Sequence, residues 1–217
     1  MHPKTSNIIA ITETHLTPGH LDEEILSKFN DYILHRTDRD TEIGRKSKCG
    51  GVALLTTENL VSVKTDTYSN GCCELIKVDF DEISTTVIVI YRPPDTLKEE
   101  FNQILTKLNH HLTTNTYETI LVAGDFNFPS SVVTWEQTDS GIVTVPTNIL
   151  SDPTKLQFQD LLNIVDAHFL HQNVTGKTTS ANTSKQSLNT MSNLQQIMNQ
   201  TSQKYLSMIS ARPTRTQ

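Results

Sequence analysis

The chain has 217 residues, 24 acidic side chains against 18 Lys and Arg, and 35% hydrophobic residues, which is enough for one large domain or two small ones and too apolar for wholesale disorder. Charge is uneven: residues 1–166 hold all 24 acids and 13 Lys/Arg, while residues 167–217 hold 5 Lys/Arg and no acid, so an acidic body precedes a basic polar tail and tight non-specific DNA binding through phosphate neutralisation alone is disfavoured. Three cysteines, at 49, 72 and 73, with no CxxC, indicate neither a disulfide framework nor a zinc site, and the lack of an apolar leader or membrane-length apolar run predicts an intracellular protein of the nucleus or cytoplasm, not secreted and without a membrane partner.

Taken in order, Ile8 to Ile11 form an apolar run that predicts a buried strand, with Glu13 just beyond its end. Leu21 to Phe29 predicts one or two helical turns, and Asp31 to Arg36 a strand. Residues 37–48 are charged and loop-like. Arg36, Arg39, Arg45, Lys46 and Lys48 would make a DNA-facing run, but Asp38, Asp40 and Glu42 interrupt them, and solvated surface is the plainer reading. Strands are expected at 50–57 and 60–64, with a turn at Glu58-Asn59.

Glu74 to Phe80 alternates in part, as a half-buried strand does, and Thr85 to Arg92 is the strongest strand signal in the chain, stopped by Pro93-Pro94. Strands joined by such short turns predict largely antiparallel sheets. Leu97 to Leu112 shows one apolar stripe, and Thr96 with Glu99 fits a capping box. His110 and His111 then fall near the helix C-terminus, where imidazolium suits the dipole. Thr119 to Ala123 predicts a buried strand and residues 129–151 a loop. A helix starts at Asp152-Pro153 and carries Phe158, Leu161, Leu162, Val165 and Phe169 on one face. Beyond residue 172 the composition turns to Thr, Ser, Asn, Gln and Lys. Leu188, Met191, Leu194, Met198, Tyr205 and Met208 trace a thin stripe, which predicts a marginal helix or disorder. The expected division is a domain over 1–182 and a polar basic tail over 183–217.

The stretch Thr119-Ile-Leu-Val-Ala-Gly-Asp-Phe-Asn-Phe128 is the most informative. Gly124 breaks the apolar run, and if strand geometry persists Asp125 and Asn127 point the same way. A carboxylate beside an amide at an open strand end suits a hard cation or a phosphate oxygen. The same residues are also ordinary turn formers at a strand exit. Three apolar strands thus end in polar groups: Glu13, Tyr91-Arg92, and Asp125 with Asn127.

The segments Ile9-Ala-Ile-Thr-Glu-Thr-His-Leu16, Gly50-Gly-Val-Ala-Leu-Leu55, Ile90-Tyr-Arg-Pro-Pro94 and Gly124-Asp-Phe-Asn127, in this order and spacing, resemble the endonuclease/exonuclease/phosphatase superfamily, specifically the apurinic-type endonuclease domain of non-LTR retrotransposons. The similarity covers residues 7–180. It implies an α/β (α+β) fold, a four-layered α-β-β-α sandwich of two mainly antiparallel sheets, here incomplete. It implies Mg²⁺-dependent phosphodiester hydrolysis on a DNA substrate, with Mn²⁺ as the substitute ion and no small-molecule cofactor. By position, Glu13 is similar to the metal-binding glutamate, and Tyr91 to the tyrosine on the scissile phosphate. Asp125 and Asn127 match the pair that orients the attacking water and holds the phosphate oxygens. Asp125 doubles as a metal ligand, and Arg92 is expected to bind substrate.

Two parts of the family pattern have no match: the asparagine ending an earlier strand, and a terminal Ser-Asp-His. No Asp or Glu follows Asp166, and Asp166-Ala-His168 lies in a helical pattern whose i, i+2 side chains diverge. The sequence therefore reads as a domain truncated at both ends and impaired in nicking. The alternative is a non-catalytic module that binds nucleic acid or protein through its basic tail.

Overall fold

A computed structural model of the chain describes residues 7–40, 42, 50–129, 133–138, 141–146, 153–172 and 209–211. In chain order the elements are β1 (Ile8–Thr12), α1 (Asp22–Leu26), β2 (Tyr32–Thr37), β3 (Val52–Thr57), β4 (Lys64–Ser69), β5 (Glu74–Phe80), β6 (Thr85–Tyr91), α2 (Lys98–Thr113), β7 (Thr119–Asp125), β8 (Val133–Thr138), β9 (Gly141–Pro146), α3 (Pro153–Ala167), β10 (His171–Gln172) and β11 (Ile209–Ala211). Three strands form one sheet in the order β1-β3-β2. Six form a second in the order β10-β11-β7-β6-β5-β4, and β8 pairs with β9. Among these pairs only β6 and β7 run parallel. A parallel pair needs a crossover, and α2 supplies it.

The layering follows from which faces are apolar. Ile25 and Phe29 cover the outer face of the first sheet at Ile11, Ala53 and Leu55. Between the sheets, Val52 and Leu54 meet Ile76, Val78, Phe80, Val87 and Val89. On the far face of the second sheet, Leu75, Ile88, Ile90 and Val122 carry Phe101, Ile104 and Leu108 of α2 and Leu161 of α3. Strand residues alternate between these two cores, which is why β6 is apolar on both faces, whereas β5 turns Ile76, Val78 and Phe80 inward and carries Lys77 and Asp79 on the far face. The result is the expected α-β-β-α sandwich. No helix among the described residues is long and apolar enough to cross a membrane.

Several expected elements move. The apolar segment 60–64 is not a strand: Leu60 is buried, but Val61 and Val63 face solvent. The strand is the polar segment Lys64–Ser69, which sits at an edge where one face needs no apolar cover. Segment 129–151 contains the β8–β9 hairpin rather than loop alone. The α2 cap lies one residue later than Thr96-Glu99 predicts. The Leu97 N–H donates to Glu100 Oε2 at 2.8 Å, while Thr96 donates to the Pro93 carbonyl. His111 does not line the helix end in solvent; it is buried against the sheet, and burial lowers its pKa from 6.5 to about 4. Three residues of the basic tail, Ile209–Ala211, pair with β7 at Ile120 to Val122. The thin stripe from Leu188 to Met208 lies outside the described residues, as do Arg45, Lys46 and Lys48.

Candidate active site

Two registers place the site. Glu74 of β5 stands opposite Tyr91 of β6, and Tyr91 opposite Asp125 of β7. In-register residues share a face, so three polar side chains line up across one end of the second sheet. The first sheet brings Glu13 to the same rim. Beyond β1 the chain stays tied to β3: Thr14 and His15 donate backbone N–H groups to the Gly51 and Gly50 carbonyls, at 3.3 and 2.9 Å. Glu13 and His15 adopt φ of 54° and 56°, a region that side-chain-bearing residues rarely hold and that collects at functional sites. The turn carries Glu13 across the sandwich to Tyr91, whose hydroxyl donates to Glu13 Oε1.

Asp125 ends β7, and strand geometry does not continue past it. Asn127 has φ of 46°, so the expected same-side alternation is replaced by a turn. Asp125 Oδ1 accepts the Asn127 N–H at 3.0 Å, and Asn127 Nδ2 donates to the Arg92 carbonyl at 3.0 Å. Asparagine tolerates this backbone better than most residues. Gly124 is required here: at φ 152° a Cβ would collide with the Ile90 carbonyl of the parallel neighbour. The Arg92 N–H donates to the Asp125 carbonyl at 2.9 Å, which closes the loop.

Burial pushes the Asp125 carboxyl above its ordinary range. The Asn127 N–H opposes that, and the negative Glu13 adds to it. Burial, then the Glu13 carboxylate, raises the Tyr91 phenol. Two carboxylates, Glu13 and Asp125, therefore share a negative, partly desolvated rim. Their hard oxygens fit a Mg²⁺ ion, which takes one or two carboxylates and fills its remaining positions with water and phosphate oxygen. No cluster of three or more His, Cys, Asp or Glu occurs among the described residues, so such an ion would have few protein ligands.

Arg92, expected to bind substrate, is placed elsewhere. It is wholly buried. Its Nε and Nη2 donate to Gln157 Oε1 at 3.0 and 2.6 Å, and its Nη1 to the Phe126 and Asn127 carbonyls at 3.0 and 3.3 Å. The guanidinium lies over the Phe128 ring, 4.5 Å from its centroid. It thus braces the Asp125–Asn127 loop from behind.

Sequence reasoning places Arg39 on solvated surface and Glu74 on a strand face rather than at the site, though its strand end is suggestive. Arg39 is buried, not solvated, and its Nε donates to Glu74 Oε1 at 2.7 Å. Glu74 was readable as a site residue, because the short turn at 81–84 fixes the β5–β6 register and puts its strand end beside Tyr91. Arg39 carried no such signal. Glu13, Tyr91, Asp125 and Asn127 are brought together. His168 is not among them, its Nε2 lying 2.8 Å from Asn109 Oδ1 at the opposite end of α2.

A family model described as endonuclease–reverse transcriptase matches residues 85–210. Among solved structures, the endonuclease domain of TRAS1, a telomere-specific non-LTR retrotransposon, is 9% identical over 82% of this chain and 65% of its own, with a TM-score of 0.41. Truncated TDP2 of Caenorhabditis elegans is 15% identical over 62% of this chain and 58% of its own, with a TM-score of 0.39. The human Nocturnin catalytic domain with bound sulfate is 15% identical over 59% of this chain and 58% of its own, with a TM-score of 0.39. The chain thus spans less than two thirds of the length of each of these structures. No curated protein matches it.

Proposed function

We propose that this chain, which belongs to the endonuclease–reverse transcriptase family, is built for divalent-cation-assisted hydrolysis of a DNA phosphodiester. One observation supports the reading above others. Glu13 from one sheet meets Tyr91, Asp125 and Asn127 from the other at a single rim, joined by the Tyr91–Glu13 and Asn127–Asp125 hydrogen bonds.

Glu13 and Asp125 are the residues that would hold Mg²⁺, or Mn²⁺ in its place. When bound, the ion would supply charge neutralisation at a phosphate oxygen. The remaining roles belong to the chain. Asp125 accepts a hydrogen bond from the attacking water, orients it and takes its proton. Asn127 fixes Asp125 through its backbone N–H and borders the place a phosphate would occupy. Tyr91 keeps its proton, since burial and Glu13 both oppose ionisation, and is positioned to donate to a phosphoryl oxygen once Glu13 turns to the cation. Arg92 holds the loop and touches no substrate.

Domain limits follow the same reading. Residues 1–182 carry the hydrolase fold, and the basic stretch 183–217 is an extension of which residues 209–211 join the sheet. Turnover by this polypeptide is expected to be slow, because it has no acid after Asp166 to orient a phosphate-side histidine. The test is nicking of supercoiled plasmid in Mg²⁺, with Asp125→Ala beside it. Weak nicking that the substitution removes supports the reading. Nicking unaffected by Asp125→Ala overturns it, and robust turnover that the substitution abolishes overturns only the impairment.

A further inference from the structure

The rim is contributed by two sheets that no strand ladder joins among the described residues, so something must fix their offset where Glu13 meets Tyr91 and Asp125. We infer that Arg39 and Glu74 are the positioning pair that sets this offset and thereby the cation affinity of the rim; the second half of that statement rests on the cation-assisted reading above.

Glu74 begins β5 in the second sheet and is fully buried. Both of its oxygens reach to the first-sheet side. Oε1 accepts Arg39 Nε at 2.7 Å, and Oε2 accepts Arg39 Nη2 at 3.2 Å and the Gly51 N–H at 3.2 Å. Arg39 Nη2 also donates to the Cys72 carbonyl at 2.6 Å. The Gly50 and Gly51 carbonyls in turn hold the two residues after Glu13. A closed circuit results: Glu13, the Gly50–Gly51 bend, Glu74, its register partner Tyr91, and back to Glu13 through the phenol. The Arg39 guanidinium stands 5.8 Å from the Tyr91 ring centroid and completes the packing. Gly50, at φ 103°, leaves room for it, because a Cβ there would strike the guanidinium.

A buried ion pair contributes little net stability over an apolar pair of the same shape. What a two-toothed guanidinium–carboxylate contact adds is a fixed distance and angle. The pair is also neutral as a unit, so the negative charge of Glu13 and Asp125 is left for the cation.

The test uses the full chain and begins without metal, as a double-mutant cycle. Tyr91→Phe removes the Tyr91–Glu13 bond and lowers the melting temperature. If the pair holds Glu13 in place, the same substitution lowers it by less than half as much in Glu74→Gln or Arg39→Lys, where that bond is already lost. Full additivity in both backgrounds overturns the inference. Mn²⁺ binding is then followed by electron paramagnetic resonance. Both variants bind at least tenfold more weakly while still unfolding cooperatively, and affinities within twofold of the unmodified chain overturn the positioning role. Should Glu74→Gln fail to fold, Arg39→Lys, which keeps the charge but cannot span both oxygens and the Cys72 carbonyl, carries both arms. An unmodified chain that binds no Mn²⁺ counts against the cation-assisted reading alone, and the metal-free cycle still decides the clamp.

Discussion

Arg92 donates twice to one atom, Gln157 Oε1, from Nε at 3.0 Å and from Nη2 at 2.6 Å. Gln157 passes the contact on, its Nε2 donating to the Thr96 carbonyl at 3.0 Å. The end of β6 is therefore bolted to α3 and to the approach to α2. Gln157→Leu keeps the volume but removes the side-chain acceptor of a buried cation. We expect a loss of about 2–3 kcal/mol, read as a lower urea midpoint. Because Arg92 also holds the Phe126 and Asn127 carbonyls, amide exchange across 125–128 should quicken in the same variant.

Asp125→Asn should separate stability from activity. The raised Asp125 pKa means that the folded chain keeps a proton which the unfolded chain has released, so stability falls as pH rises from 3.8 through the folded value and stays lower above it. An amide removes that cost and can still accept the Asn127 N–H. At pH 7 the variant should be more stable than its parent, read as a higher melting temperature. The advantage should vanish below pH 3.8. Mg²⁺-dependent nicking should be lost at every pH. A variant no more stable than its parent at pH 7 would contradict the burial argument.

His111 predicts a second acid transition, of opposite sign. Its pKa falls from 6.5 to about 4, through burial above all, with nearby Asp66 pulling the other way. Below pH 6.5 the unfolded chain takes up a proton that the folded chain refuses, so stability declines as pH falls toward 4. In His111→Leu, thermal melts between pH 6.5 and 4 should show a shallower decline than the parent. An unchanged slope would assign the acid sensitivity to other groups.

Gly124→Ala should cost about 2–4 kcal/mol, well beyond the usual glycine-to-alanine range, because the added Cβ collides with the backbone of Ile90 rather than with a yielding side chain. Chemical denaturation measures the loss. If it is below 1 kcal/mol, as an unstrained site would give, the tight β6–β7 approach is not as described.

The sandwich was legible because its central strands are chemically loud. Thr85 to Tyr91 is apolar on both faces, and the turn after Phe80 fixes its register with β5. The polar edge strand was not. Lys64 to Ser69 needs no apolar pattern, whereas Val61 and Val63 imitate one and stand in solvent. Glu13, Tyr91 and Asp125 could be picked out because each follows an apolar run at a strand end. Arg39 and Gln157 could not. Their partners lie 35 and 65 residues away, and a polar residue looks alike in sequence whether it meets water or a buried acid.

The parallel pairing of β6 with β7 has a consequence for synthesis. β1 through β6 can pair soon after leaving the ribosome, since their links are mostly short. β7 joins only once the 16-residue α2 has crossed over and docked. Until then a nascent chain carries β6 with one ladder edge open and its apolar faces half clad. Open apolar edges recruit other chains. Translation pauses between residues 92 and 125 are thus where chaperone demand and co-translational aggregation should concentrate.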